Sequence, residues 1–189
     1  MSYSKLPAGK NPPDEVYVVI ENPVDSNVKY ELDKETGLMI VDRFLNVAMH
    51  YPGNYGFIPN TLSEDGDPVD VLVLGQTQVL PGAVVAVRPI GVLLMEDEQG
   101  MDEKIIAVPA DRLNAQEWDV EHYADLPEGF RKQIEHFFAH YKDLEDGKWV
   151  KLNGSADADE AKRLINEGID RASAAKAAAA SSSQKGPSI

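Results

Sequence analysis

A chain of 189 residues, 43% hydrophobic and 26% charged, is long enough for one domain with a substantial core, and its lack of cysteine excludes disulfide scaffolds, thiolate nucleophiles and Cys-ligated zinc. The formal charge of −14 argues against nucleic acid or an anionic membrane as partner; a small anion would need a local cationic pocket, or metal ions that invert the carboxylate field. Met1 to Lys10 lacks an apolar signal-peptide core, and Pro89 to Met95, the longest uncharged apolar run, is too short to span a bilayer, so a cytoplasmic location is expected.

In chain order, β-like runs at Val16 to Glu21, Val28 to Leu32, Leu38 to Arg43, Val69 to Leu74, Ala83 to Met95 and Lys104 to Val108 are separated by Gly, Pro and Asn clusters. No helices long enough for βαβ units lie between them, so an antiparallel barrel or sandwich is expected, with a small closed barrel favoured. Pro127 suits the first turn of a helix, and Phe130, Ile134, Phe137, Phe138 and Tyr141 then recur at helical spacing, a stripe that should pack on the barrel. A second helix is predicted from about Asp157 to about Ala172, with Ala161, Leu164, Ile165 and Ile169 inward. The expected organisation is one domain over residues 1–172 and a flexible Ala/Ser-rich tail over 173–189, because that run has nothing to bury.

The densest chemical signal is Glu64-Asp65-Gly66-Asp67-Pro68-Val69-Asp70-Val71, at the entrance to an apolar strand. Carboxylates so close together repel one another unless cations lie between them; the same string also suits a solvated acidic turn. An EF-hand does not fit, since Val69 and Asp70 run through the place of the obligatory glycine and Gln76 stands where the bidentate glutamate belongs. The pattern favours a multi-metal magnesium site that keeps coordinated waters for a phosphate substrate. A second cluster, Glu96 to Lys104, reads as a hairpin tip with Gly100 in the turn, bringing Asp97 and Asp102 close and placing Asp102 and Lys104 on one face.

Cations and phenols complete the inventory. Alternation in Val28 to Leu32 projects Lys29 and Glu31 together, with Val28, Tyr30 and Leu32 toward the core. Arg43, at a strand end, has the planar fork that grips phosphate oxygens. The turn-rich segment Tyr51 to Phe57 presents Tyr51 and Tyr55, and Tyr141-Lys142 closes the first helix. His136 and His140 have the spacing of a helical zinc pair, but Phe137 replaces the glutamate of His-Glu-x-x-His and the pair points away from the apolar stripe, so it reads as surface or subunit interface.

Taken together, the series Lys29-Tyr30-Glu31, Val41-Asp42-Arg43, Tyr51-Pro-x-Asn-Tyr55-Gly, Asp65-Gly-Asp67-Pro-Val-Asp70, Asp97-Glu98, Asp102-x-Lys104 and His140-Tyr141-Lys142 resembles the soluble family I inorganic pyrophosphatases of bacteria, roughly from Pro7 to Lys151 plus the following helix. The resemblance implies a mainly β fold with flanking α, an OB-like five-stranded closed barrel with two packed C-terminal helices. It implies metal-dependent hydrolysis of inorganic pyrophosphate to two orthophosphates, with Mg2+ as cofactor and Mn2+ or Zn2+ as possible substitutes, and a homohexamer. By position it implies that Asp65, Asp70 and Asp102 hold one magnesium, that Asp97 and Glu31 steady further ions, and that Asp67 lies beside the attacking water. Lys29, Arg43, Lys104, Tyr55, Tyr141 and Lys142 are then implied as phosphate contacts, with Glu21, Tyr51 and Glu98 in support. A non-catalytic metal-binding module, an OB-fold nucleic-acid binder and a nucleoside triphosphate hydrolase remain as alternatives; overall acidity speaks against the second and the missing Walker loop against the third.

Overall fold

The fourteen-residue strand β6, Val84–Asp97, organises the fold, because its length lets it pair with four other strands. The computed structural model describes residues 3–113 and 120–183. Around β6 lie β1 (Val16–Asn22), β2 (Val28–Leu32), β3 (Met39–Phe44), β4 (Asn54–Phe57), β5 (Asp70–Val73), β7 (Gly100–Met101), β8 (Lys104–Pro109), α1 (Glu128–His140), β9 (Val150–Asp157) and α2 (Ala158–Ser183). The sheet runs β1-β4-β5-β8-β6, and the pairing of β1 with β6 closes it into a five-stranded barrel. Closure leaves those strands without the unpaired edges of an open sheet. All pairings in the ring are antiparallel except β5 with β8.

Side chains alternate across β5 and β8, and the alternation divides the core. Leu72, Leu74, Ile106 and Val108 join a cluster with Ile134, Phe137 and Phe138 of α1. Val71, Val73, Ile105 and Ala107 join a second cluster with Ala161 and Ile165 of α2. Burial on both faces is why these strands read as continuous apolar runs. The predicted aromatic stripe of α1 packs as expected, with Ile134, Phe137, Phe138 and Tyr141 buried.

Four details depart from the sequence-based expectation. Asn54–Phe57 is a barrel strand, although its Pro-Gly-Asn-Tyr-Gly spelling reads as a turn; Gly56 lets β4 approach β1 so closely that a Cβ there would collide with the Val19 carbonyl oxygen. The predicted strands β2 and β3 form a separate two-stranded hairpin outside the ring, and Val28, Tyr30 and Leu32 are only half-buried. A ninth strand, β9, precedes the second helix and pairs with β6; its largely exposed Lys-Leu-Asn-Gly-Ser run lacks an apolar signature. Finally, α2 continues past Ala172 to Ser183, so much of the segment expected to be a flexible tail is helical. Alanine has the highest helix propensity, and extending an already docked helix avoids the nucleation cost, so burial is not required. Asp157 caps the helix start through the Asp159 and Glu160 amides at 3.1 and 3.2 Å. The remainder of that tail, 184–189, lies outside the described residues. No helix among the described residues is long and apolar enough to cross a membrane.

The glycine at the β1–β4 contact gives a direct check on this packing. Gly56→Ala should lower the unfolding free energy by about 2 kcal/mol or more, as overpacking against backbone does. Gly129→Ala, in open space on α1, should be neutral or stabilise by up to about 1 kcal/mol. Urea titrations of the two variants should therefore move in opposite directions or diverge clearly; equal midpoints would contradict the strand placement.

Candidate active site

The parallel register of β5 and β8 sets the site, because it pairs Asp70, the first residue of β5, with Lys104, the first of β8. Asp102 lies two residues before Lys104 and therefore shares its face. The Lys104 ammonium, with a side chain only 3% exposed, reaches Asp70 Oδ2 at 2.6 Å and also bonds Asp102 Oδ1. It stands over the ring of Tyr55 at 5.7 Å. Tyr55 and Tyr141 are buried around this ion group.

A cavity of about 820 Å³ opens from it. Every site residue named from the sequence lines this cavity except Tyr51, which is buried behind it with its ring 5.6 Å from that of Tyr55. The β6–β7 hairpin turns at Gly100 as expected and delivers Asp97, whose Oδ2 accepts from Lys142 at 2.6 Å and whose Oδ1 accepts from the Gln99 amide at 2.8 Å. Glu98 pairs with Lys148 at 2.5 Å. From the β2–β3 hairpin, Lys29 bonds Glu31 and reaches Asp42 Oδ2 at 3.1 Å. Arg43 bonds Asp42 Oδ2 at 2.7 Å and Glu145 Oε1 at 2.9 Å. In the acidic loop the Asp67 amide donates to Asp65 Oδ1 at 2.9 Å, with Gly66 at a φ of 90°. Asp67 Oδ1 accepts from Lys34 at 2.6 Å.

Burial and charge act together on these groups. Desolvation pushes the Glu21 carboxyl up to about 7, with Asp70 adding to it and the Leu32 amide opposing it. Burial also raises Asp102, against the pull of Lys104. For Lys104 burial works against the charge, yet Asp70 and Asp102 outweigh it and hold the ammonium above its ordinary range. For Asp97 burial favours the neutral form, but the bond from Lys142, the Gln99 amide and the charges of Lys142 and Lys104 together outweigh it and lower the carboxyl. Burial raises the phenols of Tyr55 and Tyr141, so both stay protonated and able to donate.

The donor chemistry suits a hard divalent cation. The acidic groups in the cavity wall are carboxylates, no histidine lines it, and oxygen donors of this kind select magnesium-like ions over soft ones. Asp102 and Glu21 carry charge at a desolvation cost that a cation would offset, and Glu98 Oε2 is buried without a hydrogen-bond partner. Among the described residues, no three carboxylates or imidazoles already stand close enough to hold one ion; ammonium groups lie against several of them instead.

Sequence reasoning did not single out Lys34, Lys148 or Glu145. Each joins the site through an ion pair to a distant segment, and each lies in a short polar stretch with no periodicity. His136 and His140 are exposed on α1 with ring centroids 4.5 Å apart, and neither lines the cavity.

Comparison with known proteins places the chain among relatives of one kind. A family model described as inorganic pyrophosphatase matches residues 18–173. The inorganic pyrophosphatase of Agrobacterium fabrum is 57% identical over 172 residues, covering 90% of this chain and 97% of that protein. That of Aquifex pyrophilus is 55% identical over 170 residues, covering 90% and 96%. Among solved structures, an inorganic phosphatase from Anaplasma phagocytophilum superposes with a TM-score of 0.87 at 52% identity, covering 89% of this chain and 99% of that one. The inorganic pyrophosphatase of Thermus thermophilus gives a TM-score of 0.86 at 46% identity, covering 92% and 99%.

Glu21 gives the site a signature that can be read without substrate. Folding raises this carboxyl from 4.5 to about 7, so the folded chain binds its proton more tightly than the unfolded one. Its contribution favours folding below pH 4.5 and is lost as pH rises through 7, about 3 kcal/mol in all at roughly 1.4 kcal/mol per pH unit. In chelator, denaturant titrations between pH 5 and pH 8 should show the native chain losing about 2.5 kcal/mol more stability than Glu21→Gln, whose amide oxygen still accepts from Leu32; parallel curves would contradict it.

Proposed function

The chain belongs to the inorganic pyrophosphatase family, and from that premise we propose how its cavity hydrolyses inorganic pyrophosphate to two orthophosphates by in-line attack of a water made reactive by divalent metal. The observation that carries the assignment of residues is the convergence of motifs from the β2–β3 hairpin, β4, the acidic loop, the β6–β7 hairpin, β8 and the end of α1 on one cavity.

Magnesium is the proposed ion, held by Asp65, Asp70 and Asp102, with Asp97 and Glu31 steadying those that come with substrate; the all-carboxylate wall supports this choice. Bound ions of this kind neutralise an anionic substrate and lower the pKa of water toward neutrality. Asp67 takes the proton from the attacking water. Its side chain is 69% exposed at the cavity mouth, which suits a proton acceptor in contact with solvent. Lys29, Arg43, Lys104 and Lys142 hold phosphate oxygens and offset the charge that develops as the bridging P–O bond breaks. Tyr55 and Tyr141 donate hydrogen bonds to the same oxygens, since their phenols remain protonated. The proton released by water and the one required by the departing phosphate balance, and no covalent intermediate is needed. Glu21, Tyr51 and Glu98 support these groups from behind or beside them.

We also propose that the chain acts in the cytoplasm and assembles as a homohexamer. Support for assembly comes from the exposed His136–His140 pair on α1 and from the solvent-facing Ile40 and Phe44 of β3.

Phosphate release from pyrophosphate in magnesium should be abolished by chelator and should greatly exceed release from ATP. Asp67→Asn should lower kcat by about a hundredfold or more while leaving the unfolding midpoint within error, because the site is exposed. A wild-type rate in that variant would contradict Asp67 as proton acceptor.

A further inference from the structure

The β2–β3 hairpin carries a cation that none of the sequence motifs contains. At its tip the Asp33 amide donates to the Leu38 carbonyl at 2.9 Å and the Gly37 amide donates to the Asp33 carbonyl at 2.8 Å. The Asp33 carboxylate accepts from the Thr36 amide at 2.6 Å, and Gly37 takes a left-handed φ of 69° that favours glycine. These local bonds fix the turn, so Lys34 is presented from an ordered tip. Its ammonium reaches Asp67 Oδ1 at 2.6 Å, and both residues line the cavity.

Two features make this contact exchangeable. Its side chains are 67% and 69% exposed, so water and salt compete with the pair and hold it weakly. The hairpin also joins the barrel without a strand ladder; it is tied to β1 by the Tyr30 amide to Asn22 Oδ1 at 2.6 Å and the Leu32 amide to Glu21 Oε1 at 2.8 Å, and at its other strand by the Arg43–Glu145 ion pair at 2.9 Å, while its tip meets the acidic loop through Lys34. A diphosphate carries more charge than one carboxylate and offers several acceptor oxygens, so it competes well for the ammonium. Resting on the reading of Asp67 as proton acceptor, we propose that Lys34 is a substrate-positioning residue that changes partner. Paired with Asp67 Oδ1 in the free chain, it passes to a terminal phosphate oxygen of the bound diphosphate and leaves Oδ1 open to a hydrogen bond from water. The acceptor is thereby uncovered only when the site is filled.

Steady-state kinetics of Lys34→Met and Lys34→Arg with pyrophosphate and magnesium test this, alongside calorimetric binding of imidodiphosphate to Asp67→Asn with and without Lys34→Met. Lys34→Met should raise KM about tenfold with kcat within about threefold, and Lys34→Arg should recover most of the KM. Imidodiphosphate should bind the double variant about tenfold more weakly than Asp67→Asn alone. An unchanged KM in Lys34→Met overturns the proposal, as does a loss confined to kcat or a KM defect that arginine does not repair. The binding measurement needs no turnover. A fully active Asp67→Asn would therefore sink the proton-acceptor assignment without obscuring whether Lys34 holds the diphosphate.

Discussion

The buried ammonium of Lys104, lying between Asp70 and Asp102, fixes the geometry from which the rest of the site follows. Two carboxylates drawn into a barrel mouth repel each other and lose hydration, and a cation between them offsets that cost. The ammonium meets that demand in the free chain, and the carboxylates in turn keep it charged against burial. This arrangement depends on a single parallel pairing in an otherwise antiparallel ring, the register that sets Asp70 beside Lys104. A slip of one residue would turn one partner to the opposite face and separate the pair.

Around that centre the molecule repeats the same solution at lower burial. Lys142 meets Asp97, Lys29 meets Glu31 and Asp42, and Arg43 meets Asp42 and Glu145. The site is thus a lattice of opposite charges in which most carboxylates already have cationic partners, while Asp65 and Glu21 accept from backbone amides instead. Incoming metal and diphosphate together are overall compatible with such a lattice, since ions can take up the carboxylates while phosphate takes up the ammonium and guanidinium groups. That accounts for an anionic substrate on a chain whose formal charge is −14.

Much of this was legible in the sequence because the chemistry is written in short local motifs. Asp65, Asp67 and Asp70 fall within one loop and strand start, and Asp102 and Lys104 share a face by strand alternation alone. The closed barrel could be inferred from apolar runs such as β1 and β8, whose burial leaves little room for polar residues. What was not legible depended on contacts between distant segments. The Lys34–Asp67, Lys142–Asp97 and Arg43–Glu145 bonds join residues 33, 45 and 102 positions apart, and nothing local marks the partners. Strand β4 was hidden for a different reason: the glycine that permits its close approach to β1 is the residue that makes its sequence look like a turn. In α2, the helix propensity of the alanine run, and not burial, carries the helix on to Ser183.

The central claim is that these carboxylates, brought together from separate strands, hold the cations that make water reactive toward diphosphate. Anomalous diffraction from catalytically active crystals grown in Mn2+ tests it most directly. The account predicts metal peaks inside the cavity bounded by Asp65, Asp70 and Asp102. Active crystals whose only metal peaks lie outside that cavity would contradict it.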